Sequence, residues 1–402
     1  YRKSLLEFSK DISYIADIED LVGKIRSFLK DTVGIEIFNL RVISPRYIKA
    51  LDLSSNKELD SLFSKIIQYN NNKAVLVNAY NINQIGIETD EVYMIKGINL
   101  IIPIHLKNEL IGVLTFGNKN SGKAFSEEDI DLLKSFASQS AVSLENTRLN
   151  IEQINKQKYE EEVNIAKRIQ NSLLPKESSA HNKLQISGYS EPARDIGGDF
   201  YDIININENK VLVAIADVSD KGIPAALYMS QVQAMLQFAS NIFPSPKEIL
   251  SEINKQIYEQ LDKYSFVTLL IAIFDLDRNK VLIARAGHTP LVRLRENKIE
   301  NIYTKGIGIG LDKENIFNTN IQELEIDIQP NDVFLLYSDG VSESMNNEKE
   351  LFGTERIENI ILANSESTPE TIKSKLLSEL ESFRNNAEVN DDITFAIIKI
   401  KE

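Results

Sequence analysis

Four acidic clusters hold the residues with the clearest chemical potential in this sequence. Gly197-Gly198-Asp199-Phe200-Tyr201-Asp202 and Ala216-Asp217-Val218-Ser219-Asp220-Lys221-Gly222 flank a short apolar run, and Ser338-Asp339-Gly340 and Asp391-Asp392-Ile393-Thr394 lie beside later β-rich segments. Apolar runs bounded by turn residues read as strands, so carboxylates at their ends can converge on one edge of a sheet. Aspartates gathered in that way suit a hard divalent cation, which prefers oxygen ligands and acidifies a bound water. Glycines beside Asp199, after Asp217 and after Asp339 let the backbone approach an ion closely.

Composition narrows the chemistry further. The 402 residues predict two or three domains. With 59 acidic against 45 basic residues and a net charge of −14, nucleic acid is disfavoured as a partner. The absence of cysteine excludes disulfides, thiolate metal sites and a cysteine nucleophile, and fits a cytoplasmic protein. His105, His181 and His288 are far apart and lack the spacing of a helical zinc site. No apolar run reaches the roughly 18 residues of a membrane span, and no signal peptide is visible. The chain starts at Tyr1 rather than Met, which reads as a fragment of a longer protein.

Periodicity supplies the elements that must position the acids. Leu5, Leu6, Phe8, Ile12 and Ile15, then Leu21, Ile25, Phe28 and Leu29, predict two helices over 1–33. Strand-like runs follow at 35–43, 74–77, 100–106 and 110–116, the last two joined by a polar turn at Lys107-Asn108-Glu109. Ser126 ahead of Glu127, Glu128 and Asp129 reads as a helix N-cap. From Glu127 to Leu174 there is neither Gly nor Pro, so one long helix can leave the first domain and enter the second. Leu144, Ile151 and Ile154 form a coiled-coil seam, and Tyr159, Val163, Ala166, Ile169 and Leu173 a second one out of phase with it. Such a break suits a dimeric helix with two packings of similar energy. Beyond Pro175, strands are expected at 184–188, 200–204, 211–216, 267–274, 280–285, 291–293, 332–337 and 393–400, with helices at 224–240, 246–261, 354–362 and 369–384. Consecutive strands interrupted by paired helices predict an α+β fold of two sheets with helices outside.

Two resemblances sharpen this reading. Residues 1–148, above all the run IIPIHLKNELIGVLTFGNKN followed by FSEEDIDLLKSFASQSAVSLENTRL, resemble a GAF domain, a helix-flanked antiparallel sheet that senses small molecules and dimerises. The resemblance implies a homodimer through this domain and the helical linker, 149–175, and leaves open a small-molecule or protein ligand. Residues 176–402, with AKRIQNSLLP just ahead of them, resemble the SpoIIE/RsbU branch of the metal-dependent type 2C (PPM) protein phosphatases. The motifs GGDFYD, ADVSDKGIPAAL, FVTLLIAIFD, AGHTP, GIGIGL, LLYSDGVSES and DDITF follow in order.

That second resemblance implies an α-β-β-α sandwich and two divalent cations, Mn(II) or Mg(II), that activate a water against phosphoserine or phosphothreonine. It casts Asp217 as the ligand bridging both metals, with the Val218 carbonyl beside it. Asp339 and Asp391 become ligands of one metal and Asp199 of the other, directly or through water. Asp392, Asp202, Arg194, Gly198 and His288 are weaker candidates: Arg194 for phosphate, His288 as an acid in place of the family's His, whose position here is Ser219. Asp220 stands where a Gly is common. Whether Asp391 or Asp392 is the ligand stays open. The implied substrate is a serine-phosphorylated anti-anti-sigma (STAS-domain) protein. The rivals are a catalytically silent phosphatase-like binding module and, from Gly197-Gly198-Asp199-Phe200 alone, a GGDEF-type cyclase.

Overall fold

The structure, a computed structural model, describes residues 18–77, 89–175, 183–313 and 315–401. The first expected helix, over residues 1–17, and His181 lie outside them. The chain divides into two compact units, Tyr1–Glu160 and Glu161–Glu402.

The N-terminal unit contains α1 (Ile18–Val33), β1 (Phe38–Val42), α2 (Pro45–Ala50), α3 (Lys57–Tyr69), β2 (Val75–Leu76), α4 (Thr89–Met94), β3 (Leu100–Leu106), β4 (Glu109–Phe116) and most of α5 (Glu127–Leu173). Its antiparallel sheet has the order β1-β4-β3-β2. Alternation along β3 and β4 sends Leu100, Ile102, Ile104, Leu114 and Phe116 to the face under α1 and the start of α5. Ile101 and Val113 face the other way, under Leu62, Phe63, Ile66 and Ile67 of α3. The β3–β4 turn is one residue shorter than the sequence suggests: Glu109 pairs with Leu106, leaving Lys107-Asn108 as the turn, with Lys107 left-handed at φ 54. Ser126 starts α5 as expected, its Oγ accepting from the Asp129 N–H at 3.2 Å while the Asp129 carboxylate accepts from the Ser126 N–H at 2.8 Å. The unit boundary falls inside this 47-residue helix. No helix among the described residues is long and apolar enough to cross a membrane.

The C-terminal unit begins with the end of α5. It continues with β5 (Leu184–Glu191), β6 (Phe200–Asn207), β7 (Lys210–Val218), α6 (Ile223–Ala239), α7 (Pro246–Ile257), β8 (Val267–Asp275), β9 (Lys280–Ala286), β10 (Leu291–Arg295) and β11 (Lys298–Ile302). Then come α8 (Asn315–Asn320), β12 (Glu323–Asp327), β13 (Val333–Tyr337), α9 (Asp339–Ser342), α10 (Thr354–Ala363), α11 (Pro369–Arg384) and β14 (Ile393–Ile400). Two antiparallel five-stranded sheets result, β11-β10-β13-β14-β5 and β12-β9-β8-β7-β6.

Sequence alternation explains the layering. Val211, Val213 and Ile215 of β7 point between the sheets, where they meet Phe334, Leu336, Ala396 and Ile398. Leu212, Ala214, Ala216 and Val218 point outward beneath α6 and α7. The opposite outer face, with Leu335, Phe395 and Ile397, is covered by α10 and α11. A strand buried on both faces reads as an unbroken apolar run, which is how β7, β8 and β14 stand out. Prolines placed the helix starts well: Ser245 and Thr368 are N-caps, followed by Pro246 and Pro369 in the first turn. Ile249, Leu250, Ile253 and Ile257 of α7 are buried, each stabilising by about 1.5–3 kcal/mol. The architecture is the expected α-β-β-α sandwich with two strands added at the sheet edges, β11 and β12.

Candidate metal centre

Register brings the acids together. Phe200 pairs with Ala216 across β6 and β7, so Asp199 and Asp217 sit opposite one another just beyond that pair. In the other sheet Tyr337 pairs with Phe395, and the Ser338 N–H continues the ladder to the Thr394 carbonyl at 2.9 Å. Asp339, the first residue of α9, and Asp391, just before β14, therefore leave that sheet at the same rim. Backbone crowding is tight there: a Cβ on Gly340 would collide with the Asp392 carbonyl oxygen.

The electrostatics are those of crowded carboxylates. Asp199 is buried, and its Oδ2 has no protein partner. Burial, then the charges of Asp217 and Asp392, push its carboxyl far above the usual range. Burial and then the charges of Asp339, Asp391 and Asp392 push Asp217 up to about 6, against the opposing contact with Asp199. Asp339 is raised by burial, then by Glu343 and Asp391, with Lys221 acting in the other direction. All-oxygen donors, mutual repulsion and one orphaned buried carboxylate oxygen suit a hard divalent cation such as Mg(II) or Mn(II). The acids line a common rim rather than a closed cage: among the described residues, no three His, Asp or Glu side chains converge as a ready-made cation site.

Adjacent aspartates separate into different roles. The Asp392 carboxylate accepts from the Ala193 and Gly198 N–H groups at 2.7 Å each and from the Asp199 N–H at 3.3 Å, pinning the 193–199 loop. Asp391 has its carboxylate turned to Lys221, whose Nζ lies 2.9 Å away. Gly198 packs tightly against Val218 and Ala225: a Cβ there would lie 3.1 Å from the Cβ of each and 3.2 Å from the Val218 carbonyl oxygen.

Three weaker candidates are not brought into the cluster. Asp202 is buried on β6, accepting from Gln237 at 2.8 Å and Gln233 at 3.2 Å, both on α6. His288 is buried, its Nδ1 2.7 Å from Thr268 Oγ1; burial and then Arg285 push the imidazole down to about 3, so it carries no acidic proton at neutral pH. Arg194 is exposed in the 193–199 loop. Asp220 accepts from Ser265 Oγ, and it is Gly222 that takes the left-handed position at φ 77 before α6.

The structure also adds residues that sequence reading passed over. Thr268 stands opposite Asp217 on β8, linking its carbonyl, at 3.5 Å, to His288. Gln170, near the end of α5, grips Gly197 at two points: its Nε2 donates to the Gly197 carbonyl at 2.7 Å and its Oε1 accepts from the Gly197 N–H at 3.2 Å. Gln170 was inside a recognised motif, but a glutamine on a helix announces no chemistry. Lys221 had a clearer signal, as a basic residue in an acidic glycine-ended loop.

Comparison with known proteins gives matches for both units. Residues 207–401 match the family Stage II sporulation protein E (SpoIIE), and residues 60–146 match the GAF domain family. The phosphoserine phosphatase RsbU of Bacillus subtilis is 28% identical over 250 residues, covering 61% of this chain and 72% of that protein. The phosphoserine phosphatase RsbP of the same organism is 22% identical over 245 residues, covering 60% of this chain and 58% of that protein. Among solved structures, the SiaA-PP2C domain of Pseudomonas aeruginosa aligns with a TM-score of 0.55 at 18% identity, over 61% of this chain and 99% of that one. The chain thus carries a GAF domain at residues 60–146, followed by a SpoIIE domain at residues 207–401 with the fold of a PP2C domain.

Proposed function

We propose that the C-terminal unit is a metal-dependent protein serine/threonine phosphatase. The observation that carries the reading is the buried pair Asp199 and Asp217 on one sheet, both raised, with Asp339 and Asp391 at the rim of the other. Asp217, beside Asp199 and in the field of Asp339 and Asp391, would be shared by two cations, one of them also held by Asp339 and Asp391 and the other by Asp199. Divalent cations bound there supply positive charge for the phosphoryl oxygens and an activated water. The chain's own residues orient that chemistry. Asp392 fixes the loop carrying Gly198 and Asp199, and Thr268 holds the Asp217 backbone from behind.

RsbU and RsbP are named phosphoserine phosphatases, which favours a phosphoserine substrate here too. The partner class we propose is a phosphorylated anti-anti-sigma (STAS-domain) protein. Control by the GAF domain would run along α5, whose last turns hold the site: Gln170 grips Gly197, and the Leu173 carbonyl accepts from Gln233 of α6 at 2.9 Å. The deciding experiment is Mn(II)-dependent phosphate release from phosphoserine STAS proteins and phosphopeptides. Release abolished by Asp217→Asn is the expected result; a folded, Mn(II)-binding protein that releases none from any of them overturns the reading.

A further inference from the structure

Lys221 lies four residues after Asp217 and immediately before Gly222, the left-handed residue that starts α6. Its Nζ is 2.9 Å from Asp391 Oδ2 and donates to the Asn390 carbonyl, also at 2.9 Å. The ammonium therefore ties the loop after β7 to the loop before β14, across the two sheets whose rims carry the acids. Among the described residues, it is the basic side chain that forms an ion pair within this cluster.

An ion pair with both side chains over 40% exposed contributes little by itself. Its place gives it meaning. From the geometry we infer that Lys221 is an internal counter-cation of the carboxylate cluster, one that a divalent cation must displace from Asp391. This rests on the metal-centre reading. The ammonium on Asp391 Oδ2 offsets charge that a cation at roughly 2.0–2.1 Å would otherwise draw on, while Oδ1 already accepts from the Asp392 N–H at 3.0 Å. A divalent cation and an ammonium at one carboxylate also repel strongly, most of all at low ionic strength. Lys221 thus sets a threshold: the chain neutralises its own cluster when cations are scarce and yields Asp391 when they are abundant. Asn390 offers the displaced lysine a second acceptor beside its starting place.

The test is direct Mn(II) binding to the full chain, read as free Mn(II) by electron paramagnetic resonance. Wild type is compared with Lys221→Gln, Lys221→Met and Lys221→Arg. Loss of the competing charge is expected to tighten the weaker Mn(II) site about three- to tenfold in the Gln and Met variants, while Arg stays near wild type. In an Asp391→Asn background the Lys221→Gln effect disappears. Unchanged or weaker binding in both neutral variants, with thermal unfolding showing each folded, overturns this inference alone. Absence of Mn(II) binding by wild type overturns it together with the metal-centre reading.

Discussion

Burial and the charges of Asp339, Asp391 and Asp392 raise the Asp217 carboxyl, and that cost has a sign that can be measured. A carboxyl whose folded pKa lies above its unfolded value stabilises the fold only while protonated. Asp217, raised from 3.8 to about 6, therefore contributes fully below pH 4, and the contribution is lost as pH rises through 6. With chelator present, Asp217→Asn is expected to be more stable than wild type at pH 7.5 by on the order of 2–3 kcal/mol. The difference should vanish toward pH 4, and Mn(II) should restore wild type alone. Urea unfolding of the C-terminal unit's transition at both pH values reads this out; a difference independent of pH refutes the electrostatic account. At this scale the sequence was legible wherever an aspartate ended an apolar run. It was mute about Asp391 against Asp392, because adjacent residues share every local signal. Three backbone N–H groups that converge on Asp392 belong to a loop about 200 residues away, visible only once the sheets are assembled.

Elements were easiest to read where both faces are buried. β7, β8 and β14 announce themselves by unbroken apolar runs, whereas β11 and β12 were missed because they are edge strands. β12, Glu-Leu-Glu-Ile-Asp, is largely exposed and pairs its acids with Lys280 and Arg278, the charged edge that discourages sheet-to-sheet association. Also illegible was what the end of α5 does. Gln170 satisfies both backbone groups of buried Gly197, so Gln170→Ala orphans a donor and an acceptor at once. A stability loss of about 1–3 kcal/mol follows for the C-terminal unit. Because the freed loop carries Gly198 and Asp199, the Mn(II) concentration for half-maximal phosphate release should also rise, about tenfold. Titrating Mn(II) against phosphate release at 25 °C separates the cases: a stability loss with an unshifted midpoint would make Gln170 merely structural.

At the scale of the molecule, one helix belongs to both units, and much of its apolar surface is uncovered within the chain. Ile154 is 59% exposed, Tyr159 56% and Ile169 59%, although helices on protein surfaces ordinarily turn such residues inward. The sequence had already set these positions in two seams out of phase, and no single-chain packing in the described residues accounts for them. A second copy of the same helix would: in a parallel pair, equivalent apolar positions would face one another, each covering the other. Placing lysine at Ile154 and Tyr159 should therefore split a dimer without unfolding either unit, since neither side chain contributes to a core. Sedimentation equilibrium of the full chain is expected to fall from dimer to monomer in the double variant. If dimerisation also carries the regulatory signal, the monomer's phosphate release should lose any dependence on the N-terminal unit. A double variant that remains dimeric would assign association to another surface and leave the exposed seam of α5 without a role in assembly.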